Sequence, residues 1–490
     1  RAVVIGLPLI ALSVLGGWQL WLFASRTERA VAAVPRGDGG SADARPNVLL
    51  ISIDALRNDV AGYMGGEART PTLDEMAAES WVFESAQSAA PWTRPSFAAF
   101  FGGGYPFEMG VARVADSDPQ RTKPFPYRWR TDPRTLTEVL SDAGYTTVAA
   151  VTNQNLAAEA AADQGFDVFY HCSARAMGPC LRRIDALLGT HLPERNDLQR
   201  ANVVTDVALR MLAVEPSRPL ALWLHYLDPH HPYDAPDAPP SERVKFSTPE
   251  STAVLAGIAR RSPQTQEPVR RAYLREVEYC DRWLGKLVAE LKRGGWWDNS
   301  IVVVWSDHGE EFWDHGSWEH GHSYYRELIE IPLLIHLPGQ AETHRIDQPV
   351  SLLDVMPTLL DVLGLQAPEG LRGRSLMPLM DGEVQRLEPT EIMLEGRHRG
   401  SLSKAMVVDG YKLILDVYSD RFRLYDMRED PWEHKDIFGT PPAPDTSRWE
   451  KRLREWSGES IAEMSRLTRG PAEELSPETR DALKDMGYIQ

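Results

Sequence analysis

Cysteine is scarce in this chain, with three in 490 residues and none between Arg1 and His171. That excludes a disulfide scaffold and a thiolate-built zinc or iron–sulfur cage, so any bound metal must be held by Asp, Glu or His. Basic residues are in deficit too. Against 70 Asp and Glu there are 53 Lys and Arg, a net charge of −17. A surface of that sign excludes a protein held on DNA or RNA mainly by phosphate neutralisation, and no nucleic-acid partner is expected. Internal repeats are absent. What is present is ordinary for a globular protein: 43% hydrophobic and 25% charged residues, which excludes wholesale disorder.

One long uncharged run stands out, Ala2 to Ala24. It is long enough to span a bilayer core of about 30 Å at roughly 1.5 Å per residue, and longer than the apolar region of a cleavable signal, about 7–15 residues. Residues 1–25 are therefore expected to form a membrane anchor through an N-terminal helix, followed by a linker over 26–45 that is rich in Gly, Ala, Asp and Pro. Arg26, Arg29 and Arg36 favour a cytoplasmic C-terminal side. Cys172 and Cys180, spaced to close a small disulfide, argue the other way. The expectation is a membrane-anchored protein with its catalytic part outside the cytoplasm, periplasmic or extracellular.

Beyond the linker, Asn47–Ile53, Thr146–Val151, Pro219–His225 and Ile301–Trp305 are short, apolar and β-branched, like strands buried on both faces. Helical patterns lie between them at Leu73–Ser80, Thr135–Ala143, Ala201–Ala213 and Val269–Lys292. Alternating strands and helices predict an α/β fold, an α/β/α sandwich on a mostly parallel sheet, over residues 46–367. After Pro368 the texture changes. Ala405–Val417 and Phe422–Tyr425 read as antiparallel strands around an Asp-Gly turn, giving a small C-terminal antiparallel-sheet subdomain over 368–440. A charged tail, 441–490, has a helical pattern at Pro477–Met486.

In such sheets, functional residues collect just past the strand carboxyl ends. Asp54 and the Ser306-Asp307-His308 group fall at two such ends, and Asp228 to His231 follow a third. Seven of the 13 histidines (225, 230, 231, 308, 315, 320, 322) lie within residues 225–322. Asp54, Asp307 and His308 make an oxygen-rich donor set with imidazole, suited to a divalent cation: Ca, Mg, Mn or Zn.

These residues also carry a family likeness. PNVLLISIDALRNDVAGYMGG, TPTLDEMAAESWVFESAQSAAPWTRPSFAAFFGG and DNSIVVVWSDHGEEFWDHG resemble the sulfatase family of the alkaline-phosphatase superfamily. DPHHPY, YYRELIEIPLLIHLPG and LYDMREDPWEH continue the match in family order to about residue 437. The resemblance implies a metal-dependent hydrolase of sulfate- or phosphate-type esters. It implies metal ligation by Asp54, Asp307 and His308, and contact with the ester oxygens or leaving group by His230 and His320, with His231 and His322 as alternatives.

At the nucleophile position the sequence departs from the family. Sulfatases hold Cys or Ser in Cys/Ser-x-Pro-x-Arg, converted to formylglycine; here the stretch is Thr93-Arg94-Pro95-Ser96-Phe97. The signature arginine is replaced by Phe97, and Arg94 is the candidate to restore its charge. Thr93 resembles the metal-bound threonine of phosphodiesterase and headgroup-transferase relatives, although a threonine there can also cap a helix. A formylglycine hydrate expels sulfate by collapsing to the aldehyde, whereas a threonyl sulfate has no such escape. A phosphate diester or phosphonate is therefore favoured. Ala55, where the family has a second acid, favours one metal over two; Asp228, His231 and His320 are the alternative second set.

The substrate is expected to be a small-molecule, lipid or glycan ester. A phospho-headgroup transferase and a non-catalytic scaffold are the rival readings. Arg57 and Lys412 suit structural salt bridges, Trp296 and Trp297 packing, Gly102–Gly104 a turn, and Asn153 a possible reach into the pocket. Residues 235–266 form the loop expected to vary with substrate.

Overall fold

The computed structural model describes residues 25–36, 45–112, 128–172, 200–216, 219–244, 263–396, 398–441 and 443–467. At its centre is an eight-stranded sheet. Five strands run parallel as neighbours, in the order Ser300–Trp305, Asn47–Ile53, Leu220–Tyr226, Thr146–Val151 and Val168–His171. Leu333–His336 joins antiparallel beside Ser300–Trp305, and Trp81–Phe83 and His344–Ile346 complete that edge.

Side chains along a strand alternate between faces, and the two cores divide accordingly. Leu49, Ile51 and Ile53 pack against Leu73 and Met76 of the Pro71–Ala78 helix, Val204 and Val207 of Ala201–Ala213, and Tyr273, Val277 and Leu284 of Pro263–Arg293. Val48 and Leu50 pack on the other face with Phe97 and Phe100 of Thr93–Gly102, Leu136 and Leu140 of Leu136–Asp142, and Leu359 of Val355–Val362. Burial on both faces is why the strands read as continuous apolar runs. Helix ends agree with local signals as well. Thr135 and Glu138 form a reciprocal capping box. The long helix begins earlier than its periodicity suggests, at Pro263, and runs through Pro268.

The C-terminal part is a four-stranded antiparallel sheet in the order Ile392–Leu394, Ser403–Val408, Tyr411–Asp416 and Arg421–Asp426. Its Asp409-Gly410 turn has φ of 51° and 80°, as a two-residue hairpin requires. One face packs on Tyr324, Leu328 and Ile329 of the larger part. The other is covered by a helix, Ser447–Leu467, through Leu453, Trp456 and Met464. The expected Pro477–Met486 helix lies outside the described residues, and the covering helix was hidden in sequence by its high charge.

The membrane expectation is corrected. Among the described residues no helix is long and apolar enough to cross a membrane, which overturns the anchored, extracytoplasmic reading; the run Ala2–Ala24 itself lies outside those residues. An uncharged run meets the length requirement of a span without by itself establishing one. Where the described chain begins, residues 25–33 are helical and docked: Val31 and Val34 enter the main core, and the Thr27 and Tyr170 hydroxyls hydrogen-bond at 2.7 Å. The segment read as a linker thus starts as a packed helix. Cys172 is buried, while Cys180 lies outside the described residues, as do residues 245–262 of the variable loop.

Candidate active site

Four parallel strands deliver polar residues to one edge of the sheet. Asp54 follows Asn47–Ile53, Asp307 and His308 follow Ser300–Trp305, Asn153 follows Thr146–Val151, and His225 ends Leu220–Tyr226 with His230 and His231 just beyond. Asp54, Thr93, Asn153, His225, Asp307 and His308 are all fully buried.

One ligand atom from each of Asp54, Asp307 and His308 lies within 4.8 Å of the others. His308 Nε2 is 3.5 Å from Asp54 Oδ1 and 3.4 Å from Asp307 Oδ2. Its Nδ1–H donates to the Gly309 carbonyl at 2.8 Å, which fixes the tautomer and turns the Nε2 lone pair toward both acids. Gly309 is required there because a Cβ would fall 2.0 Å from the Glu327 carbonyl oxygen. Asp54 Oδ1 and Asp307 Oδ2 have no hydrogen-bond partner. Two orphaned carboxylate oxygens and an imidazole nitrogen in one buried cluster fit a divalent cation, because buried charge is costly unless paired.

The electrostatics point the same way. Burial pushes Asp307 well above the usual carboxylate range, and the facing Asp54 adds to the shift. Burial also raises Asp54, but His230, His225 and His308 outweigh it and hold that group at about 2. Burial lowers His308 to about 4 against the opposing pull of Asp54, which keeps the imidazole neutral as a ligand must be.

Thr93 is the first residue of the Thr93–Gly102 helix. It does not cap that helix. Trp92 holds the cap position without a side-chain bond, while the Thr93 hydroxyl lies 3.4 Å from His308 Nε2 and accepts from Asn153 Nδ2 at 3.4 Å. The same Asn153 amide donates to Asp54 Oδ2 at 2.6 Å, tying the threonine to the first aspartate. Arg94 is buried behind it. Its guanidinium donates to Asn155 Oδ1 at 2.7 Å and lies over the Trp92 ring at 5.2 Å. Phe97 takes no part in charge; it packs on Trp223 and edge-on against His225, floor to the site.

The His320 ring lies 4.3 Å from that of His308 and 5.0 Å from that of His230, centre to centre and tilted to both. Its Nδ1–H donates to Glu310 Oε1 at 2.9 Å, and the other Glu310 oxygen accepts from Tyr233 at 2.9 Å. His230 Nδ1–H donates to the His231 carbonyl at 2.7 Å. His231 sits beside them, lowered to about 4 chiefly by burial. His322 instead points at Glu311, 2.6 Å away. Asp228 does not combine with His231 and His320; it is bonded to Arg200 at 2.6 Å and to the Ala201 amide. Glu310 and His225 are the residues that sequence reasoning left without a role. The only signal was their place in the acid-rich stretch after one strand and in the histidine cluster.

The weaker candidates resolve as structure. Arg57 is enclosed by Asp59, Asp314 and the Glu310 carbonyl. Lys412 bonds Glu433 and the Tyr324 carbonyl. Gly103, at φ 66°, closes the Thr93 helix.

Comparison with known proteins matches a family model described as Sulfatase to residues 46–365, and one described as N-sulphoglucosamine sulphohydrolase, C-terminal, to residues 314–457. A sulfatase of Formosa agariphila is 24% identical over 79% of this chain and 82% of its own length. A Delta 4,5-hexuronate-2-O-sulfatase of Bacteroides thetaiotaomicron is 24% identical over 83% and 87%. Among solved structures, the phosphonate monoester hydrolase of Agrobacterium radiobacter shares the fold with a TM-score of 0.63 and 19% identity, covering 86% of this chain and 96% of that one.

Proposed function

The chain belongs to the sulfatase family and is a sulfuric or phosphoric ester hydrolase, and from that premise we propose that it acts through Thr93 in place of a formylglycine, with phosphate diesters or phosphonate esters as preferred substrates. One observation carries the reading: the buried Thr93 hydroxyl lies 3.4 Å from His308 Nε2 and shares the Asn153 amide with Asp54. A helix-capping threonine would turn its hydroxyl to its own backbone instead.

Asp54, Asp307 and His308 would hold a divalent cation, with the Thr93 oxygen as a fourth donor. When bound, such a cation polarises ester oxygens and lowers the pKa of a nearby hydroxyl. Thr93 attacks phosphorus and forms a threonyl ester. His320, its Nδ1–H held by Glu310, takes the Thr93 proton at Nε2 and hands it to the alcohol oxygen as the bond from phosphorus to that oxygen breaks, and His230 stands beside it for the ester oxygens. Water then attacks the phosphorus of the threonyl ester, His320 taking a water proton and passing it to the Thr93 oxygen as that bond breaks. Arg94, held on Asn155 behind Thr93, adds positive charge near the ester, and His231 stands next to His230. A scaffold reading fares worse, since two facing buried acids with orphaned oxygens destabilise a fold that makes no use of them.

The test is turnover by the full chain of aryl sulfate, phosphate monoester, phosphate diester and phosphonate ester in parallel, each with Mn, Ca, Mg or Zn. Diester or phosphonate hydrolysis that is lost in Thr93→Ala is the expected result. Preferred sulfate ester hydrolysis overturns the substrate assignment, and activity retained in Thr93→Ala overturns the nucleophile. A product formed only with an acceptor alcohol present identifies a transferase instead.

A further inference from the structure

Asp54, Asp307 and His308 each have one side-chain atom engaged by the protein and one left over. The Ala55 amide donates to Asp307 Oδ1 at 3.3 Å, and Asp307 Oδ2 has no hydrogen bond. His308 gives its Nδ1–H to the Gly309 carbonyl, which leaves Nε2. At Asp54 the engaged atom is Oδ2. It accepts from Asn153 Nδ2 at 2.6 Å and faces His225 Nε2 at 3.3 Å, while Oδ1 has no hydrogen bond. His225 is itself held from behind. The Trp223 indole donates to Ser52 Oγ at 2.9 Å, and that hydroxyl lies 3.0 Å from His225 Nδ1. With a carboxylate at the other nitrogen, one tautomer satisfies both ends of the ring: Ser52 donates to Nδ1, and Nε2 carries its hydrogen toward Asp54. Ser52, Trp223 and His225 are all fully buried, and the Phe97 ring stands edge-on to the imidazole at 5.2 Å. Hydrogen bonding and packing thus hold the ring together.

Single atoms of Asp54, Asp307, His308 and Thr93 then converge. From His308 Nε2, Asp54 Oδ1 lies at 3.5 Å, Asp307 Oδ2 at 3.4 Å and Thr93 Oγ at 3.4 Å. Ligands at the corners of a tetrahedron around zinc, with bonds of about 2.0–2.2 Å, stand about 3.3–3.6 Å apart. An octahedron around magnesium, with bonds of about 2.1 Å, brings neighbouring ligands to about 3.0 Å. Calcium takes about 6–8 oxygen ligands, and here the second oxygen of each acid is already engaged. An imidazole nitrogen also suits zinc better than either hard cation.

We propose that His225 and Asn153, by holding Asp54 Oδ2, restrict Asp54 to ligation through one oxygen and so make the site selective for zinc over calcium and magnesium. His225 is then a positioning residue, which touches neither the metal nor the ester and acts through Asp54. This rests on the metal-dependent hydrolase reading above and names the cation that such a hydrolase uses. Preference for zinc over manganese is general for these donors, so the comparison that counts is with calcium and magnesium.

The experiment strips the full chain of metal with a chelator and titrates it with zinc, calcium and magnesium in competition. Cobalt(II) reports the geometry, since tetrahedral cobalt absorbs strongly in the visible and six-coordinate cobalt only weakly. The expected result is a strong cobalt band that zinc abolishes, that excess calcium leaves alone, and that is lost in Asp307→Asn. His225→Phe should weaken zinc binding about 10- to 100-fold without weakening calcium binding. His225→Gln, whose amide can still donate to Asp54, should recover most of the loss. A weak cobalt band, or calcium bound as tightly as zinc, overturns the proposal. So does an unchanged ratio of zinc to calcium affinity in His225→Phe, because a ring that only packs would shift Tm and leave that ratio alone. Should His225→Phe fail to fold, Asn153→Ala carries the same comparison, since Asn153 is the other donor to Oδ2. Selective tetrahedral binding without turnover of any of the esters above leaves this inference standing and sinks the hydrolase reading. Thr93-dependent turnover by a chain that prefers calcium does the reverse.

Discussion

Two clusters of buried acid lie near the carboxyl ends of neighbouring strands, and they are completed in opposite ways. Asp228, Asp234 and Glu276 surround Arg200, which donates to Asp228 at 2.6 Å and to Glu276 at 2.9 Å and pairs with Asp234. Asp54 and Asp307 face each other with imidazoles and two amides for company, and an oxygen of each is left without a hydrogen bond. The first cluster carries its own cation and braces the 228–234 turn that bears His230 and His231. The second lacks a permanent cation among the described residues. Buried carboxylates demand a counter-charge; where the chain supplies one the cluster is architecture, and where it does not the cluster is a place for a metal.

The largest effect expected at the open cluster is chemical. Thr93→Ala should lower kcat/KM by about 1000-fold or more while elemental analysis finds the metal content unchanged, since two carboxylates and an imidazole remain. At the closed cluster the effect is on stability. Arg200→Met leaves buried acids unpaired and should cost about 3–5 kcal/mol in urea unfolding. Asp307→Asn sharpens the contrast. It removes one of two facing charges while the Asn side-chain oxygen can still accept from the Ala55 amide, so the metal-free variant should be at least as stable as the unsubstituted chain, yet gain nothing in Tm from added cation. Marked destabilisation of that metal-free variant would erase the distinction between the clusters.

Glu310→Gln should be milder. With the Nδ1 contact of His320 weakened, kcat should fall about 10- to 100-fold with KM little changed, and an equal rise in KM would assign Glu310 to packing. The smallest effect is one of pH. His231 is held at about 4, below its ordinary 6.5, chiefly by burial. The folded state therefore favours the neutral ring. That contribution is complete above pH 6.5 and is lost as pH falls from there toward 4. His231→Gln should flatten the decline of stability across that window, measured by denaturant midpoints.

Some of this was open to reading along the chain. The apolar runs ending at Ile53, Val151 and Trp305 mark strands because local period and β-branching decide them, and the acids just past their ends follow from the geometry of parallel sheets. The Ser447–Leu467 helix was not legible, because its apolar positions are few, spaced among charges, and meaningful only against the sheet they cover. Asp228 was a candidate for a second metal set because, like Asp54, it follows a strand. Nothing local reports that Arg200 lies against one and not the other. The uncharged stretch at the start misled for a related reason: length and hydropathy state what a span needs, not what a segment does.

What the sequence by itself determined is therefore the alternation of strand and helix, the place of Asp54, Asp307 and His308 just past strand ends, and a threonine at position 93 in a stretch that has no cysteine. These depend on neighbours within a few positions. What only the tertiary structure decided is which acids meet an arginine and which stay open, which nitrogen of His308 faces Asp54, and how the His398 and Arg399 amides come to meet the Gly321 carbonyl beside His320. Those outcomes join positions far apart in the chain, and electrostatic and hydrogen-bond energies act only at the few-ångström separations that folding sets.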